Sequence, residues 1–150
     1  MTTHVTVEDD AWNEIPGLEQ LVERAVRSVF TDKPCSVDVL LTNDSEIRIL
    51  NRDFRHKDTP TNVLAFQASL MPVPAGEMAH LGDIVLAHET VARESAAQGK
   101  PISHHVTHLV VHATLHLLGH DHDIPEQAEK MENEERIILQ QLGIPDPYLA

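Results

Sequence analysis

Hydrophobic positions along this chain switch repeatedly between a period of two and a period near 3.6, which separates strands from helices. Val5 and Val7 alternate with polar neighbours and predict a first strand. Asp9–Asp10 offers a cap for a helix running to about Val29, with Ile15, Leu18, Leu21, Val22 and Val26 on one face. Ser36–Thr42 (SVDVLLT) predicts a second strand, and Asn43–Asp44 opens a helix carrying Ile47, Leu50 and Phe54. Thr61–Gln67 (TNVLAFQ) predicts a third strand. Ser69–Ala79, with Pro72, Pro74 and Gly76, predicts a loop, and Asp83–Leu86 behind Gly82 predicts a fourth strand. Residues 87–98 are helical in pattern, stopped by Gly99 and Pro101. A long helix is expected from about Ile102 to Leu118. A final one is expected from about Glu126 to Leu142, entered at Pro125 and ended by Gly143.

The link between the third and fourth strands has the chemistry of a loop, so that pair is expected to be antiparallel. The expected fold is therefore α+β or mixed α/β, a single sheet of about four strands covered by about five helices. Val106, Leu109, Val110 and Leu117 form an apolar stripe that would seat the long helix on the core.

A length of 150 residues with 41% hydrophobic content fits one domain, 1–150, with a substantial core. Aromatic residues make up only 3%, so Leu, Val, Ile and Ala are expected to fill that core. Cys35 is the only cysteine, which fits a reducing compartment and a buried, inert side chain. The opening MTTHVTVEDDAW has neither the basic start nor the apolar stretch of a signal peptide. No run reaches the ~18 apolar residues of a membrane span. These features predict a cytoplasmic protein without a membrane partner. A net charge of −13 argues against loose binding to bare nucleic acid, so an RNA or phosphate substrate would need a local basic cluster. Arg52, Arg55, His56 and Lys57 form one.

The most informative segment is His112–His122, HATLHLLGHDH. A spacing of four puts His112 and His116 on one helix face. Gly119 suits the left-handed conformation that ends a helix and turns the chain, so that His122 can approach the same point. Three converging imidazoles suit one zinc ion with the fourth position left for water, the catalytic rather than the structural arrangement. The site is expected at the end of the long helix. The spacing HxxxHxxGxxH also occurs in metzincin proteases, where a Glu follows the first His and acts as general base. Here Ala113 stands there and cannot take a proton, so peptide hydrolysis by that route is disfavoured.

The segment VVHATLHLLGHDH resembles the signature of the YbeY family of bacterial rRNA-maturation factors. Two more stretches agree with that family in order: LNRDFRHKDTPTNVLAF at 50–66 and LGDIVL at 81–86. The resemblance implies a single-strand-specific metallo-endoribonuclease acting in 16S rRNA 3′-end maturation and ribosome quality control. It implies His112, His116 and His122 as zinc ligands and Arg55 as the cationic residue beside the cleft. It also implies partners in the small ribosomal subunit and its assembly proteins. The chain departs from the family pattern at Ala113 (usually Gly), His120 (usually Tyr), Asn62 (usually Asp) and Ala65 (usually Ser).

With that reading, Arg55 and the ligand His116 are the expected catalytic pair. Guanidinium is always charged and grips phosphate bidentately. Water made acidic by the metal could attack phosphorus, or the metal could activate the ribose 2′-OH; the spacing is compatible with both routes. Arg52, His56 and Lys57 are the expected RNA contacts. Asp121 either accepts from a ligand imidazole or caps the next helix, and His120 is a spare ligand, an acid or a surface residue. His104 and His108 continue the row but drift about 40° per step, so His104 is expected away from the metal. Glu126, Glu129, Glu132, Glu134 and Glu135 are expected to form a solvated acidic face. Two competing readings stand beside this one: another zinc hydrolase, and a ribosome-assembly binding factor whose metal mainly holds the fold.

Overall fold

A computed structural model describes residues 2–29, 35–68, 79–119 and 124–148. Its elements are β1 (Thr2–Val7), a 3-10 turn (Asp10–Glu14), α1 (Leu18–Val29), β2 (Cys35–Thr42), α2 (Asp44–Arg55), β3 (Val63–Gln67), β4 (Ala79–Ala87), α3 (His88–Ala97), α4 (Ile102–Leu117) and α5 (Pro125–Gln141). The strands form one sheet in the order β1-β2-β4-β3. β1, β2 and β4 are parallel, and β3 runs antiparallel to β4 along the edge. The mixed four-stranded sheet and the antiparallel β3–β4 pair match expectation.

The period-two pattern sorts the sheet into two faces. Val37, Val39 and Leu41 of β2, with Ile84 and Leu86 of β4, join the main core with α1, α4 and α5. Leu64 and Val85 point the other way and pack with Ile47 of α2. The Asn43 side chain caps α2 by accepting from the Glu46 N–H at 2.9 Å. α4 is the central helix, with Val106, Leu109, Val110 and Leu117 all buried in the main core as its apolar stripe predicts.

Two elements differ from expectation. The helix expected from Asp9–Asp10 to Val29 is split. Asp9 caps only the 3-10 turn, accepting from the Ala11 N–H at 2.9 Å, and α1 starts afresh at Leu18. Pro16 lacks the N–H that a continuous helix would need there. The split seats Trp12 fully buried, its indole N–H donating to the Thr42 carbonyl at 2.7 Å. The second difference is the fourth strand, which begins at Ala79 rather than Asp83, because Cys35 and Ser36 of β2 extend the pairing through a bulge. The loop expected over 69–78 lies outside the described residues.

Gly82 fixes how closely β3, β4 and α4 approach. A Cβ there would sit 2.2 Å from the Phe66 carbonyl oxygen and 2.8 Å from Leu117 Cδ2, and its φ is +151°. Only glycine allows this contact, and it draws the end of β3 against the end of α4.

Candidate metal centre

His112 and His116 stand one turn apart near the end of α4, with ring centroids 4.9 Å apart and planes at 76°. The helix ends at Leu117, and Gly119 takes a φ of +95°, as its position predicts. The His116 carbonyl is held twice, by the Gly119 N–H at 3.0 Å and by Gln67 Nε2 at 3.0 Å. Edge strand β3 thus ties down the turn that carries His116.

The larger departure is Glu135. The expected solvated face of α5 holds for Glu126 and Glu129, which are exposed, but Glu135 is completely buried. Its position follows from α5 itself: Met131, Ile138 and Leu139 flank it at spacings of four, three and four, and all are buried. Glu135 Oε1 makes a short hydrogen bond with His112 Nδ1. Its Oε2 faces His108 Nε2 at 3.2 Å and accepts a short hydrogen bond from the Tyr148 hydroxyl. Burial pushes the Glu135 carboxyl up, but hydrogen bonds from His108 and His112, the charge of His112 and the Tyr148 hydroxyl outweigh it and hold the group at about 2. Glu135 is therefore an ionised acceptor in the protein interior. The sequence signal for it is a single charge on an apolar helix stripe.

A buried carboxylate holding one imidazole nitrogen is how proteins orient a histidine ligand. The donor set here, imidazoles backed by a carboxylate, fits a borderline cation such as zinc. The ligand atoms of His108, His112 and Glu135 all lie within 4.8 Å of one another, so this group could hold a metal ion. Asp38, His80 and Asp83 form a second such group on β2 and β4, but it is largely exposed and His80 and Asp83 are 3.6 Å apart. His104, expected away from the metal, lines a cleft with Lys100, Asp146 and His108 of the candidate group. His120, Asp121 and His122 lie outside the described residues.

The basic cluster sits at the C-terminal end of α2, on the other face of the sheet from α4. Arg52, Arg55, His56 and Lys57 are all exposed. Arg52 is engaged with Asp53 at 3.0 Å, and His56 closes the helix in the left-handed conformation at φ 61°. Phe54, beside Arg55, stacks edge-on against Phe66 at 5.4 Å. Phe66 adjoins Gln67, whose side chain reaches the His116 backbone carbonyl on the other side of β3. Asn62 donates to Glu94 Oε1 at 2.9 Å, and Glu94 also pairs with His105 at 2.9 Å. An aspartate at 62 would face Glu94 with like charge, so the amide suits this chain's own network.

A mixed sheet carries paired imidazoles at the end of its central helix with a buried carboxylate behind them, an arrangement that could hold a metal ion. The comparisons with known proteins agree with that architecture. The family model described as Endoribonuclease YbeY matches residues 3–143. A protein named Endoribonuclease YbeY from Chelativorans sp. (strain BNC1) is 53% identical over 141 residues, covering 91% of this chain and 86% of its own length. Its namesake from Rhodopseudomonas palustris is 48% identical over 152 residues, covering 97% of this chain and 80% of the relative. The solution structure of TM1509 from Thermotoga maritima shares the fold with a TM-score of 0.56 at 23% identity, covering 99% of both chains. The chain belongs to the YbeY family.

Proposed function

We propose that this chain, folded as one domain over 1–150, is a single-strand-specific, zinc-dependent endoribonuclease of the cytoplasm. Its substrates are single-stranded RNA and the 16S rRNA 3′ end, and it acts in maturation and quality control of the small ribosomal subunit with the associated assembly proteins. Among the described residues no helix is long and apolar enough to cross a membrane. The observation that carries the reading is the buried Glu135 holding His112 beside His116, in a member of a family of endoribonucleases.

His112, His116 and His122 would hold the ion. Zinc bound there supplies Lewis acidity to a phosphoryl oxygen and to water. Glu135 keeps the His112 ring in one orientation. Gln67 and Gly119 fix the backbone of His116. Arg55 grips the phosphate and offsets its developing charge. Phe54, 66% exposed beside it, offers a ring on which a base can stack, and Lys57 and His56 add positive charge along the strand. A binding factor with a structural metal is the second reading, and the full burial of Glu135 in the His108–His112–Glu135 group favours it if the carboxylate itself takes the ion.

The test is cleavage of a labelled single-stranded RNA by zinc-loaded protein beside an identically prepared His116→Ala variant. The proposal predicts cleavage by the wild type only, abolished by chelation. Equal cleavage by both proteins, or none by a wild type that binds zinc stoichiometrically, contradicts it for RNA of this kind.

A further inference from the structure

The C-terminal tail reaches the centre as well. Tyr148 N–H donates to Asp146 Oδ1 at 2.8 Å, and Asp146 Oδ2 pairs with Arg136 Nε at 3.0 Å. The Arg136 guanidinium lies 5.3 Å from the centroid of the Tyr148 ring, and the His108 ring meets that same ring edge-on at 5.6 Å. The tail is thus clamped onto α5 so that its phenolic hydroxyl reaches inward and donates to Glu135. Burial first, and the Glu135 carboxylate after it, push the Tyr148 hydroxyl well above its ordinary range, so it stays a donor.

A fully buried carboxylate is costly unless its lone pairs are used. Here Oε1 serves His112, and Oε2 serves Tyr148 and His108. The Tyr148 hydroxyl donates to Glu135, and both imidazole nitrogens face its oxygens within hydrogen-bond reach, which suits an acceptor of N–H and O–H groups better than a ligand of a cation. We propose that Glu135 and Tyr148 form a positioning pair: the phenol pins the carboxylate, the carboxylate holds the proton on His112 Nδ1, and His112 is thereby set to bind the ion through Nε2. The inference rests on the metal-dependent reading above, and it makes the C-terminal tail part of the metal centre.

The opposite arrangement, with Glu135 itself a ligand, predicts the opposite sign for one variant. There the Tyr148 hydroxyl competes with the ion for Oε2, so removing it would leave zinc affinity unchanged or raise it. The experiment measures zinc affinity of the full chain by competition with a chromophoric chelator, for wild type, Glu135→Gln and Tyr148→Phe. Far-UV circular dichroism checks the fold, and ¹⁵N spectra of the metal-free proteins read the His112 tautomer. Loss of a residue supporting a ligand imidazole typically weakens metal binding about 10- to 100-fold. That loss is expected for Glu135→Gln, and a smaller one of roughly three- to tenfold for Tyr148→Phe. The wild type should carry the His112 proton on Nδ1. Unchanged or tighter zinc binding in Tyr148→Phe, or a proton on Nε2, overturns the inference while leaving the enzyme reading intact. A wild type that binds no zinc overturns both. If Glu135→Gln fails to fold, the Tyr148→Phe result decides alone.

Discussion

The imidazole–carboxylate pairs nearest the two ends of α4 are built inside out relative to each other. Near its start, His105 meets Glu94 at 2.9 Å, with the His side chain 4% exposed and the Glu side chain 36% exposed. Two turns on, His112 is 26% exposed while Glu135 is 0% exposed. In the first pair the imidazole is filler and the carboxylate reaches the surface, where Asn62 also holds it. His105 Nδ1 is buried with no hydrogen-bond partner among the described residues. In the second pair the carboxylate forms the rigid base and the imidazole turns outward. Burying the acceptor and exposing the imidazole makes a site; burying the imidazole makes a strut.

Three substitutions probe this contrast, in falling order of effect. His112→Ala should remove metal binding. It also strips a partner from a buried carboxylate, which costs about 3–5 kcal/mol of stability, readable by urea unfolding. A variant as stable as the wild type would mean that Glu135 is not paired as described. Gly82→Ala drives a methyl into the Phe66 carbonyl and Leu117, and overpacking of this kind costs about 3 kcal/mol. It should also weaken metal binding, since it pushes β3 away from the turn that carries His116. His105→Ala should cost about 1–3 kcal/mol by opening a void where the ring is buried, with zinc stoichiometry unchanged.

The two pairs should also separate by pH. Burial lowers the His105 pKa, against a raising hydrogen bond from Glu94, so the unfolded chain takes up this proton first, near the ordinary value of 6.5. Stability from His105 is full above that pH and declines as pH falls below it. The Glu135 contribution persists to lower pH and is lost between its ordinary value of 4.5 and about 2. Chemical denaturation of wild type and His105→Ala from about pH 7.5 to about pH 5 should show a slope that the variant partly loses. A variant with an unchanged slope would place the titrating group elsewhere.

Much of this architecture is legible in the residues. SVDVLLT alternates because Val37, Val39 and Leu41 of β2 enter the main core while Ser36, Asp38 and Leu40 on the other face are only half-buried, and Asn43 caps α2 where its side chain predicts. The imidazole spacing and Gly119 mark the end of α4 through local chain chemistry alone. What stays hidden is long-range. Glu135 lies 23 positions from His112 amid other acidic residues, and only the depth of its neighbours Met131, Ile138 and Leu139 distinguishes it. Gln67 and Tyr148 lie 49 and 40 positions from the histidines they meet, in stretches with no periodic signal of contact. Pro16 signals a break in the first helix, but its consequence, the seating of Trp12 against Thr42, depends on a residue 30 positions away.

The central claim is that the half-buried imidazoles at the end of α4, not the buried one near its start, hold the metal. The most direct measurement is the zinc content of wild type, His116→Ala and His105→Ala after equilibrium dialysis against buffered zinc. His116→Ala is the cleaner probe because it leaves the His112–Glu135 pair whole. The account predicts one zinc per chain in wild type and in His105→Ala, and none in a folded His116→Ala. Full zinc content in His116→Ala, or its loss in a folded His105→Ala, would contradict it.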